Sequence, residues 1–267
     1  MGGADYRERP APPGLGLACV WSHSAPRGEV PHIGRVVPDA CIDIIWSDWD
    51  GELHVAGPDT GPFLATIAPG GRLAGVRFRP GLAAAVLGVP ADALTDGRVA
   101  LRELWGAAAG ALAQAVADAA TARGGDPTGP LVRAVAARGR AAGPADPVAP
   151  ALVSELASEP PGAAAGADPV PRQAAVRQAA ARLGLSERQL RRRSLAAFGY
   201  GPKTLARILR FQRALRLARG GMPPADVACA TGYADQAHLA HEVRHLAGVP
   251  LTALLEPAAT VPGAPPR

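Results

Sequence analysis

The stretch TGYADQAHLAHEVRHLAG, residues 231–248, carries three of the chain's six histidines, at 238, 241 and 245. Spacings of three and four residues place side chains on one face of a helix, an arrangement that zinc-binding helices also use. On a helical wheel Leu239, Val243 and Leu246 form an apolar stripe. His241, Arg244 and His245 lie opposite, with Ala237 also outward and His238 at the edge. Arg244 would repel a metal cation, and Glu242 points to another side, so the face reads as a surface for hydrogen bonding and no metal site is expected. Asp235 stands at the helix start as an N-cap. Before it, PPADVACATG (223–232) reads as a short helix opening on proline and stopping at Gly232. Two helices joined by a tight turn are the predicted unit.

The same plan occurs upstream. VRQAAARLG (176–184) is a helix closing on Gly184, and Ser186 caps SERQLRRRSLAAFG, with Glu187 in the first turn where a negative charge suits the helix dipole. Leu190, Ser194, Ala197 and Phe198 share the inward side, whereas Arg188, Arg191, Arg192 and Leu195 point away. Guanidinium groups on an outward face suit a major groove, where arginine bonds guanine in bidentate fashion or clamps phosphate. A solvated charged face is the plain alternative. Between the units, PKTLARILRFQRALRLARG (202–220) predicts one long helix. Arginines 207, 210, 213, 216 and 219 recur every three residues and spiral around it, so they cannot all face one partner.

Charge separates the chain into two regions. Residues 1–171 contain 13 Arg and 18 Asp or Glu, a net −5, whereas residues 172–256 contain 14 Lys or Arg against 5 acids, a net +9. A basic segment of this kind implies a polyanionic partner, nucleic acid before an anionic membrane surface. No apolar run is long enough to span a bilayer, and MGGADYRERPAPPG at the start lacks the apolar core of a signal peptide. Three scattered cysteines, Cys19, Cys41 and Cys229, form no disulfide framework. The chain reads as cytoplasmic.

From Leu15 to about Leu101 short β-branched and aromatic runs alternate with Gly, Pro and Asp, and DWDG (48–51) predicts a hairpin turn. Alanine-rich helices follow to about 157. The expected fold class is α+β, in five segments: residues 1–14 disordered, 15–157 a sensor or dimerisation domain, 158–171 a linker (EPPGAAAGADPVP), 172–256 an all-α DNA-binding domain, and 257–267 a disordered tail. In the first domain Arg77 and Arg79 alternate on a strand, open either to an anion or to solvent. Cys41, beside apolar neighbours in CIDII, reads as buried rather than reactive.

Taken together, AARLGLSERQLRR (180–192), GYGP (199–202), Arg210, Phe211 and Ala214 of the long helix, VACATGYADQAHL (227–239) and GVP (248–250) resemble the AraC/XylS family of bacterial transcription regulators. The resemblance covers about eighty residues, 174–255. It implies two helix-turn-helix units on one linking helix, each sending a recognition helix into adjacent major grooves. It places base-contacting positions at Arg188, Arg191 and Arg192, and at Gln236, Ala237, His238 and His241. Ser186 and Arg244 complete the expected DNA-facing set. Double-stranded DNA is the implied partner, and RNA polymerase, a small-molecule effector and a second copy of the chain are further partners that the resemblance admits. It implies no cofactor and no catalysis.

Three residues depart from the family pattern. Ser194 replaces a core phenylalanine, which removes apolar burial. His241 stands where arginine is frequent, and Ala237 can offer only an apolar contact, such as to a thymine methyl. The first hundred residues, in VPDACIDIIW (37–46), VAGPDT (55–60) and LAGVRFRPG (73–81), resemble an uncharacterised domain attached to some of these regulators. DNA alkyl-repair proteins also join an AraC-type domain to a methyl-accepting cysteine. Their four-cysteine zinc site cannot be built from three cysteines, one of which lies in the DNA domain. A protein-interaction module is the remaining alternative.

Overall fold

Alternating apolar residues in the first hundred positions build two sheets. In the computed structural model, which describes residues 5–143, 145–157 and 172–256, strands β1 (Asp5–Pro10), β2 (Leu17–Ser24), β3 (His32–Val36), β4 (Asp43–Ser47), β5 (Leu53–Ala56), β6 (Phe63–Ile67), β7 (Arg72–Phe78) and β8 (Arg98–Ala100) precede the main helices. Six of them form an antiparallel sheet in the order β1-β2-β7-β4-β5-β8, and β3 pairs with β6 in a separate ribbon. The period-2 rule puts Val20, Ile44, Trp46, Val55, Ala74 and Val76 on one face of the large sheet, all buried. The short helices α1 (Ala84–Leu87) and α2 (Leu101–Trp105) and the longer α3 (Ala107–Thr121) and α4 (Thr128–Ala142) supply the rest of that core through Leu87, Leu101, Val116, Leu131 and Val135. Gly51, at φ 69°, closes the DWDG turn, as the sequence predicts.

The opposite face of the sheet is polar, and here the structure corrects the sequence. Residues 5–10, placed in the disordered start, form β1, in register with β2 from Asp5↔Ser24 to Pro10↔Cys19. Its inward Tyr6 stacks on Trp21, with ring centroids 5.9 Å apart. Glu8 reaches Arg77 Nη1 at 3.5 Å. Charged residues and a terminal proline are what an edge strand tolerates. Arg77 is neither solvated nor open to an anion: it is buried, with Nε and Nη2 donating to Asp43 Oδ1 and Oδ2 at 3.0 and 2.9 Å. Arg79, beyond the strand end, is exposed and donates to Leu17 O at 3.1 Å.

The carboxyl-terminal region is helical: α5 (Val148–Ala157), α6 (Arg172–Arg182), α7 (Glu187–Phe198), α8 (Pro202–Arg219), α9 (Pro224–Ala230), α10 (Gln236–Ala247) and α11 (Leu251–Leu255). The domain boundary expected at 157 does not separate the cores. Ala149, Leu152 and Leu156 of α5 pack with Val176, Leu190, Phe198, Leu205 and Ile208, so α5 belongs to the first helix-turn-helix unit. The second cluster gathers Phe211, Ala214, Leu215, Val227, Tyr233, Leu239, Val243 and Leu246. The linker expected at 158–171 and the tail at 257–267 lie outside the described residues.

The β-domain inserts into both clusters. Val37 joins the second and Ala40 the first, while Gln212 Nε2 on α8 donates to Pro38 O at 2.6 Å. Removing Arg77 would leave Asp43 as an uncompensated buried charge. Arg77→Leu is expected to lower stability by about 3–5 kcal/mol in urea unfolding; a loss below about 1 kcal/mol would show that the pair holds nothing together.

Candidate nucleic-acid interface

Each helix-turn-helix unit is shaped by capping. Gly184 and Gly232 turn the chain at φ 65° and 70°, conformations that favour glycine. Ser186 forms a full capping box: its Oγ accepts from Gln189 N at 3.3 Å, and Gln189 Oε1 accepts from Ser186 N at 2.9 Å. Asp235 Oδ1 accepts from His238 N at 2.7 Å. Both recognition-type helices, α7 and α10, end on left-handed glycines, Gly199 and Gly248.

The outward face of α7 carries Arg188, Arg191 and Arg192, all exposed and in no ion pair among the described residues. Neighbouring arginines are committed elsewhere: Arg193 to Asp146 at 3.2 Å, Arg182 to Glu155 at 2.7 Å, and Arg177 to Glu187 at 3.1 Å. The three outward guanidiniums therefore remain as donors on a surface whose other positive charges are partly neutralised.

On α10, Gln236, Ala237, His241, Arg244 and His245 are exposed, and Leu239, Val243 and Leu246 are buried. The wheel assigned these faces correctly. His238, at the edge, is held in place: its Nδ1 accepts from Ala234 N at 3.3 Å, and its ring meets Tyr233 edge-on at 5.3 Å. An accepting Nδ1 puts the proton on Nε2, so neutral His238 presents an N–H donor on its other nitrogen. Glu242 is buried and ion-paired to Arg207 of α8 at 2.6 Å. Arg210, also on α8, stacks over the Tyr233 ring at 4.1 Å. Two of the spiralling arginines thus lock α10 and its turn onto the linking helix.

Ser194 is fully buried, and its Oγ donates to Tyr200 O at 2.7 Å. The hydroxyl thus satisfies a carbonyl beyond the helix end, while Ala149, Leu152 and Leu156 of α5 pack in the same cluster as Leu190 and Phe198 of α7. Sequence reasoning missed what holds the far ends of both recognition helices. Thr95 Oγ1 donates to Gly199 O at 2.9 Å, and Arg35 Nη1 donates to Ala247 O at 3.0 Å. A single loop, residues 57–62, reaches both caps. A Cβ built on Gly199 would stand 2.6 Å from Pro58 Cγ, and one on Gly248 3.2 Å from Pro62 Cγ. Contacts between residues this far apart in the chain leave no local signal.

Cys41 is half-buried; burial first, then the neighbouring Asp39 carboxylate, hold its thiol well above the usual range. That environment disfavours the thiolate a methyl acceptor needs.

Two family models match separate parts of the chain. Residues 179–256 match the model of a helix-turn-helix domain, and residues 16–100 match a domain of unknown function, DUF6597. No curated protein matches the chain. Solved structures of ToxT from Vibrio cholerae are similar in outline. One from strain O395 has 8% identity and a TM-score of 0.43, covering 94% of this chain and 96% of that one. A 1.65 Å structure of the P21 form has 8% identity and a TM-score of 0.45, covering 94% and 97%. No helix among the described residues is long and apolar enough to cross a membrane.

Ser194→Ala is expected to cost about 1–3 kcal/mol, because Tyr200 O would be left buried without its donor. Thermal or urea unfolding reads the change, and an unaltered midpoint would show that the bond is dispensable.

Proposed function

We propose that this chain, whose carboxyl-terminal region is an AraC-type helix-turn-helix domain, regulates transcription by inserting α7 and α10 into adjacent major grooves of one duplex face. The supporting observation is the pairing of two exposed polar helix faces on the single helix α8, whose buried side serves both cores. Arg188, Arg191 and Arg192 read and clamp one half-site; Gln236, Ala237, His238 and His241 read the other, and Arg244 meets phosphate. Ser186, whose side chain is committed to the cap, offers its helix N-terminus to a phosphate. The chain acts without catalysis, in the cytoplasm, where chromosomal DNA and RNA polymerase are its partners. The β-domain modulates binding in response to a small-molecule effector and provides the surface for a second copy of the chain.

Arg192→Ala is expected to weaken specific binding by about 1–3 kcal/mol and to relax preference at one base position. A footprint and affinity equal to the parent would remove Arg192 from the readout. His241→Arg tests the departure from the family pattern. A shift of preference toward guanine at the position facing residue 241, seen in a binding array, is the expected result; an identical array would make His241 a bystander. Raising salt from about 50 to 200 mM should reduce affinity by about 10³-fold or more if six or more phosphates are contacted. A flat salt response would favour a protein partner over DNA.

A further inference from the structure

A shallow cleft lies between the β3–β6 ribbon and the polar face of the large sheet. Phe63, Ala65 and Ile67 line it from the ribbon, and Trp21, Ile45 and Leu73 from the sheet. Apolar walls around a few convergent charged groups are the make-up of small-molecule sites. Its charged end decides the class of ligand.

Both guanidiniums in the cleft are already engaged. Arg77 holds Asp43 through two bonds, and Asp43 Oδ2 also accepts from Trp21 Nε1 at 3.1 Å. Arg98 grips Asp59 with both Nη atoms at 2.9 Å and stacks over the Phe63 ring at 3.8 Å. Asp39 is the carboxylate left over. Its Oδ1 accepts from Cys41 N at 2.9 Å, and its nearest guanidinium nitrogen, Arg77 Nε, is 3.8 Å from Oδ2. Three lining carboxylates face two lining guanidiniums, and Glu8 stands behind Arg77. An anion entering here would have to break an existing ion pair, whereas a cation would meet an under-compensated carboxylate beside two aromatic rings.

We propose that this cleft binds a small organic cation, an amine or amidine on an apolar or aromatic body, with Asp39 as its counter-ion. The site adjoins the DNA-binding helices. The Tyr200 hydroxyl, directly after the α7 cap, is buried with no hydrogen-bond partner among the described residues. Burial raises its pKa first and Asp39 raises it next, ahead of Cys41 and Asp59, so Tyr200 shares the electrostatic environment of the counter-ion. Asp59 and Phe63 line the cleft, while Pro58 and Pro62, their neighbours in sequence, abut Gly199 and Gly248. Occupancy of the cleft is thereby felt at both recognition helices. This regulatory step rests on the DNA-binding reading above; cation binding itself does not.

Burial pushes the Asp39 carboxyl up to about 6, against the opposing effect of Arg77, with Asp43 and Asp59 adding to the rise. A bound cation favours the ionised form, so affinity is retained above that pH and declines below it.

The test is calorimetric titration of the intact chain with benzamidine and phenethylamine, with benzoate and benzyl alcohol as charge-reversed and neutral probes. Saturable binding of a cation is expected, weaker by about tenfold at pH 5 than at pH 8, and weaker by at least about tenfold in Asp39→Asn. Thermal melting checks that this variant is folded. If it is not, Phe63→Ala, at an exposed ribbon position, is expected to reduce affinity by about threefold to tenfold through loss of the aromatic wall. Absence of saturation by either cation at millimolar concentration, equal binding of benzoate, or unchanged affinity in a folded Asp39→Asn overturns the proposal. Retention of a genomic duplex library by the ligand-free chain, measured in parallel, separates failure of this site from failure of the DNA-binding reading.

Discussion

Helix α8 is the constraint from which the geometry of the carboxyl-terminal region follows. Its eighteen residues span about 27 Å. Leu205 and Ile208, near its start, are buried in one cluster, and Phe211, Ala214, Leu215 and Ala218 in the other. Neither helix-turn-helix unit has a complete core without it. Rotation of α7 relative to α10 would require α8 to bend, or would expose apolar surface worth about 25 cal/mol per Å². The Arg207–Glu242 pair and the Arg210–Tyr233 stack bind the second unit to the same beam.

The β-domain is more than an attachment. Residues 37–40 leave the ribbon and enter both helical clusters, and loop 57–62 meets the carboxyl ends of α7 and α10. Arg77–Asp43 and Arg98–Asp59 fix the polar face beneath that segment and that loop. The elements that border the cleft are therefore the ones that touch the helices proposed to read DNA. A domain with independent packing would have left these caps to solvent.

The parts legible in the sequence are those determined locally. Ser186 and Asp235 announce caps, Gly184 and Gly232 announce turns, and the spacing of Leu239, Val243 and Leu246 identifies the buried side of α10, because a helix relates neighbours three and four residues apart. Arg77 was misread because the acid that neutralises it, Asp43, lies 34 residues away, on another strand. Strand β1 was missed for a related reason: DYRERP has no apolar alternation, since its inward positions are filled by Tyr6 and Glu8 facing a buried arginine. Helix α5 resembles its alanine-rich predecessors in composition, and only its partners show that it belongs to the helix-turn-helix half.

Selection of bound sequences from a randomised duplex pool by the intact chain tests the central claim most directly. Two fixed recognition helices require an enriched motif in two parts, their centres separated by about one helical turn, 10–10.5 base pairs. Recovery of no motif, or of one short motif with no fixed companion, would contradict the account.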